Sequence, residues 1–169
     1  LVDALCARGM ATDALAVLRG MAEAAQQLTV KMCTQVTVAL TRAGLPLRAF
    51  HHVFEPHMET AGSGAEATLP SLSSSEWNVE HGLALLTKSL ARSMHGRLAH
   101  RVYACARSAG LIANYGAFGL PALTLAVVES GMLTQAMGVC EDARQALLPL
   151  GVTTASALLT AVAKAKPFG

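Results

Sequence analysis

LVDALCARGMATDAL, residues Leu1–Leu15, recurs along the chain and decides how the rest is read. It returns as VTVALTRAGLPLRAF at Val36–Phe50, as LTKSLARSMHGRLAH at Leu86–His100 and as LTLAVVESGMLTQAM at Leu123–Met137; a fifth copy opens at Leu158 with LLTAVAKAK. The columns agree in kind. Leu1, Val36, Leu86, Leu123 and Leu158 share one; Leu5, Leu40, Leu90, Val127 and Val162 share another; Ala14, Ala49, Ala99 and Ala136 share a third. Steps of 35, 50, 37 and 35 residues mark a repeat with one insertion. A period in the thirties is the mark of stacked helical units, each unable to bury its apolar face alone.

Working outward, helix periodicity dominates and no convincing strand alternation appears. Apolar residues from Ala14 through Leu18 to Ala25 form a helical stripe. A helix over Lys31–Ala43 is expected to end at Gly44, and Pro46 suits the first turn of the next. That helix carries Phe50, Val53 and Phe54, and Pro56 should kink or shorten it. Residues 60–75 form a Gly- and Ser-rich insertion, read as a mobile loop. A capping box at Ser73 and Glu76 then introduces a helix over Trp77–Ser93. Its partner over Arg97–Ser108 should pack through Ala99, Val102, Tyr103 and Ala106. The next helix begins at about Gly119 or Pro121, another covers Leu133–Leu147, and Thr153 or Thr154 caps the last. The expectation is all-α: an α-solenoid of about nine helices, with repeats at about 1–29, 30–62, 76–116, 117–151 and a partial 152–169.

Composition narrows the class. Hydrophobic residues are 53% and charged residues 14% of the 169, against a usual charged share of about a quarter. So apolar a repeat is expected to be a segment of a longer protein, covered by neighbours. The uncharged runs Ser108–Val128 and Gln145–Ala163 approach the roughly 20 residues of a membrane span. Glycines and prolines interrupt both, so they read as helix–loop–helix. Cys6, Cys33, Cys105 and Cys140 lack metal-ligand spacing and read as reduced residues in packed helices.

The segment Leu1-Val-Asp-Ala-Leu-Cys-Ala-Arg-Gly9, followed by Asp13-Ala-Leu and Met21, resembles a pentatricopeptide repeat, and the 35-residue step is similar to that family's period. The likeness covers most of the chain outside the insertion and is weakest in the third copy, where Met94 stands in place of the turn glycine. What the resemblance implies is RNA binding in mitochondria, or alternatively chloroplasts, one base per repeat. The family's first reading position falls on Thr34, Ala84, Pro121 and Ser156, and its closing position near Thr29, Asn114 and Gly151. Thr34, Asn114 and Ser156 have side chains able to hydrogen-bond a base. Ala84 and Pro121 do not, so the base code is mostly absent.

Charge is unevenly placed. Residues 1–80 hold five basic and eight acidic side chains; residues 81–128 hold Lys88, Arg92, Arg97, Arg101 and Arg107 with no acid; residues 129–169 hold three of each. Lys88 with Arg92, and Arg97 with Arg101, are four apart and share helix faces. Arg97 and Arg101 are expected to point outward. Such a cluster suits phosphate contact without base preference. Arg42, Arg92 and Lys164 occupy matching places near the ends of three first helices; charge complementing the helix dipole explains them equally well. His51, His52 and His57 lack a second ligand group for a metal. No paired carboxylates, nucleophile elbow or phosphate loop appears, so neither catalysis nor a cofactor is expected. With the basic cluster, the resemblance implies a structural RNA-associated subunit of an organellar ribonucleoprotein such as the mitochondrial ribosome. The alternative is a protein–protein scaffold that touches no RNA.

Overall fold

A computed structural model describes residues 1–57, 79–111, 115–149 and 151–165. The insertion at 60–75, its capping box, Trp77 and Asn114 lie outside the described residues. Among those described the protein is all-helical: α1 (Val2–Ala7), α2 (Ala11–Glu23), α3 (Val30–Arg42), α4 (46–57), α5 (Val79–Arg92), α6 (Gly96–Ser108), α7 (Gly116–Glu129), α8 (Leu133–Gln145) and α9 (Val152–Ala165). Each odd-numbered helix packs on the even-numbered helix that follows it and on the next odd-numbered one. The result is a row of helical hairpins whose first helices form a continuous layer.

The repeat columns are the core. Val36, Leu86 and Leu123 are fully buried, as are Leu40, Leu90 and Val127 one turn later. Ala14, Ala49, Ala99 and Ala136 are all at 0% exposure. Their small side chains let the second helix of each pair approach the first. Burying a Leu or Val contributes roughly 1.5–3 kcal/mol, so each copy draws its stability from these shared positions. Val102, Tyr103 and Ala106 are buried as their spacing predicts, and so are Phe50, Val53 and Phe54.

The turns repeat too. After α1, the Gly9 amide bonds to the Cys6 carbonyl and the Met10 amide to that of Leu5. The same pair of bonds closes α3 at Gly44 and α7 at Gly131, each glycine having a φ near +75°. This is the Schellman arrangement, which requires a left-handed residue. After α5 the geometry is unchanged, but Met94 takes the position at φ 62°.

Three boundaries differ from expectation. Helix α7 starts at Gly116, which leaves Pro121 inside it. Burial of Leu120, Leu123, Ala126 and Val127 outweighs the one backbone bond the proline lacks. Thr153 and Thr154 fall within the first turn of α9 and do not cap it: Thr154 is buried, its hydroxyl 3.5 Å from the Pro121 carbonyl on α7. Ahead of Pro56 the chain does not stop but widens into a π-helical stretch at Phe50–Phe54. The Glu55 amide there reaches back to the Phe50 carbonyl, a one-residue expansion of the kind that absorbs a local misfit.

Candidate nucleic-acid interface

Because consecutive helices alternate direction and the hairpins stack alike, every turn from a first to a second helix falls on one edge of the row. Arg42 and Arg92 lie in the last turns of α3 and α5, and Lys164 in the last turn of α9. Across the same turns Arg48 is the third residue of α4 and Arg97 the second of α6. All five are exposed. Among the described residues no acidic side chain pairs with Arg42, Arg48, Arg92 or Arg97. Ala7 and Glu129 hold the corresponding places on α1 and α7, so the row of cations is interrupted.

The other cations of the acid-free segment are engaged within the protein, although Arg101 is exposed, as its helix face predicts. Arg101 donates to the Glu55 carboxylate at 3.1 Å and lies 5.0 Å over the Phe50 ring. His51 shares the same carboxylate at 3.2 Å. Hydrogen bonds from His51 and then Arg101 hold the Glu55 carboxyl below its usual range. Arg107 donates to Asp142 at 2.9 Å, and the Tyr103 hydroxyl donates to the same carboxylate at 2.6 Å. Asp142 is 5% exposed at its side chain, so these bonds offset its desolvation. Burial, reinforced by the bond to Asp142, raises the Tyr103 phenol well above its ordinary value. Tyr103 meets Tyr115 edge-on at 5.4 Å, and the Tyr115 hydroxyl hydrogen-bonds Thr87 at 3.0 Å. Lys88, half-buried on α5, also has interactions within the protein. The acid-free segment is therefore in part an internal counterpart. Glu55 and Asp142 each stand nineteen residues into their copies, on α4 and α8, and α6 between them supplies the cations.

The base-reading candidates do not come together. Thr34 is 1% exposed, its hydroxyl donating to the Val30 carbonyl at 2.9 Å. Its methyl faces Gly82 of the next first helix. Ser156 is exposed on α9, and its carbonyl accepts from Thr160. Asn114 is not among the described residues.

His51 is engaged with Glu55, and no group of three potential metal ligands occurs among the described residues. No disulfide joins Cys6, Cys33, Cys105 and Cys140. Burial pushes the Cys33 thiol up to about 11 and raises those of Cys6 and Cys140. No described helix is long and apolar enough to cross a membrane.

Two features went unmarked in the sequence pattern. Arg48 carries no mark of its own in the sequence, although it lies four residues past a turn glycine, as do Asp13 and Gln135 in their copies. Thr37, Thr87 and Thr124 form a fully buried column one residue past the leucine column. The aligned copies contain that column, but threonine carries no apolar signature. No protein-family profile matches the chain, and no curated protein is significantly similar to it.

Proposed function

We propose that the protein is a non-catalytic, pentatricopeptide-like RNA-associated subunit of an organellar ribonucleoprotein, such as the mitochondrial ribosome, and that it holds RNA by its phosphates. The observation that carries this reading is the placement of Arg48 and Arg97. A cation near a helix C-terminus complements the dipole, which accounts for Arg42, Arg92 and Lys164 without any ligand. Arg48 and Arg97 sit at helix N-termini, where the dipole opposes them and folding gains nothing from them. Exposed and without an acidic partner among the described residues, each adds to the positive end of a helix, with another arginine ending the helix before the turn, an arrangement suited to phosphate. With Thr34 buried and no side-chain donor at Ala84 or Pro121, the contact is one of charge and shape, independent of base identity.

The test is binding of a structured RNA hairpin across a salt series. The wild-type protein should lose affinity steeply with salt. An Arg92→Ala/Arg97→Ala double variant should bind more weakly, with a log–log slope smaller by about 1.5. Failure of the wild type to bind at low salt overturns the reading and leaves the scaffold alternative. Exposed Leu147, Val152 and Leu159, at 90%, 87% and 72%, favour that alternative as apolar surface open to a protein partner.

A further inference from the structure

The cations of the turn edge fall at two adjacent turns. Arg42 ends α3 and Arg48 stands in the first turn of α4; Arg92 ends α5 and Arg97 stands in the first turn of α6. The helices that lead into these turns are in direct contact: a Cβ on Gly82 of α5 would lie 2.9 Å from the Thr34 methyl of α3. Helices packed in this way lie about 8–10 Å apart, so the second pair of arginines follows the first at that spacing. Across the hairpins the spacing is similar. Arg42 and Arg92 belong to the layer of first helices, and Arg48 and Arg97 to the layer of second helices packed on it. The four make two parallel rows of two.

The neighbouring turns close this block on both sides. At the turn from α7 to α8 the column of Arg42 and Arg92 is filled by Glu129, the exposed last residue of α7. The close approach of Gly96 to Ala126 and Ser130 sets the end of α7 directly against the start of α6, which brings Glu129 beside the Arg97 turn. Glu129 has no ion-pair partner among the described residues. An acid at a helix C-terminus is opposed by the dipole, so folding does not account for its charge. On the other side, the turn from α1 to α2 carries Arg8 with Asp13, which stands in the column of Arg48, for no net charge. An extended strand following the row would therefore meet cations at two turns and then an acid. Two parallel rows of cations instead match two lines of phosphate facing each other across a groove, which double-helical RNA presents and a single strand does not. Resting on the phosphate contact argued above, we propose that the turn edge clasps double-helical RNA at one place. Arg42 and Arg92 meet one strand, Arg48 and Arg97 meet the other, and Glu129 ends the footprint.

The experiment compares a short RNA hairpin with an oligouridylate of the same phosphate count, by fluorescence anisotropy across a salt series. Expected is an affinity for the hairpin roughly tenfold above that for the single strand, with a log–log salt slope of about −3 for four contacts. Arg48→Ala/Arg97→Ala removes one row and should bring the hairpin down to the single-strand level, its slope smaller by about 1.5. Glu129→Arg should carry the block to a third turn, binding the hairpin more tightly with a slope steeper by about 0.8. Equal wild-type affinity for the two RNAs overturns the proposal and leaves the phosphate contact in place. A hairpin preference that survives in Arg48→Ala/Arg97→Ala comes from the charge density of the duplex alone and also overturns it, as does an unchanged slope in Glu129→Arg. Binding of neither RNA at low salt removes the phosphate contact itself, and this inference with it.

Discussion

Met94 shows how far a repeat's geometry overrides its own residue. The position demands left-handed backbone, which costs a residue with a Cβ about 1 kcal/mol, and the side chain is 51% exposed, so little packing offsets that cost. Met94→Gly should therefore stabilise the protein by about 1 kcal/mol, read as a higher urea midpoint with an unchanged slope. Turn glycines at Gly9, Gly44 and Gly131 are legible in sequence because glycine announces the conformation. Met94 is legible only by its place in the aligned copies, since the neighbouring hairpins impose the turn. Ala25 and Leu147, left-handed between pairs, carry no such mark. His100 offers a second test at this scale. Burial, and secondarily the Arg107 charge, lowers its pKa below the ordinary 6.5. The unfolded chain then takes up a proton at a higher pH than the folded one. Stability is complete above about 6.5 and falls as the pH drops through the folded value. Replacing His100 with glutamine should flatten the pH dependence of the melting temperature below 6.5.

Helix α6 is where the hairpins are most tightly coupled. Its first residue, Gly96, abuts the C-terminal end of α7: a Cβ there would press into the Ala126 carbonyl and the Ser130 hydroxyl. The Ala126 carbonyl cannot yield without moving the helix, so Gly96→Ala should cost about 3 kcal/mol, measured by chemical denaturation. At its other end α6 reaches Asp142 of α8. Asp142→Ala leaves the Tyr103 hydroxyl buried without an acceptor and should cost about 2 kcal/mol, whereas Arg107, 57% exposed at its side chain, returns to water. The element's apolar face was readable from Ala99, Val102, Tyr103 and Ala106. Its polar ties were not, because Glu55 and Asp142 lie in other copies, 46 and 35 residues from their partners in the chain. The shared place of the two acids, nineteen residues after the start of each copy, is the trace that sequence retains.

For the whole molecule, the charge asymmetry that reads as a binding surface divides in two. Arg101 and Arg107 balance acids of flanking copies, whereas Arg42, Arg48, Arg92 and Arg97 remain available at the turn edge. Sequence places Arg92, Arg97, Arg101 and Arg107 in one count, since charge runs carry no direction; only the hairpin geometry separates them and adds Arg42 and Arg48 to the turn edge. The layer of first helices is held by buried aliphatic columns, indifferent to salt. The layer of second helices is laced across α4, α6 and α8 by ion pairs on side chains partly open to solvent. A strip bonded firmly along one margin and laced along the other bends toward the side that shortens. As screening slackens the exposed Arg101–Glu55 pair, the strip should open slightly about its first-helix margin, read as a radius of gyration that grows with salt in small-angle scattering. Arg42, Arg48, Arg92 and Arg97 would then change their mutual spacing along the turn edge.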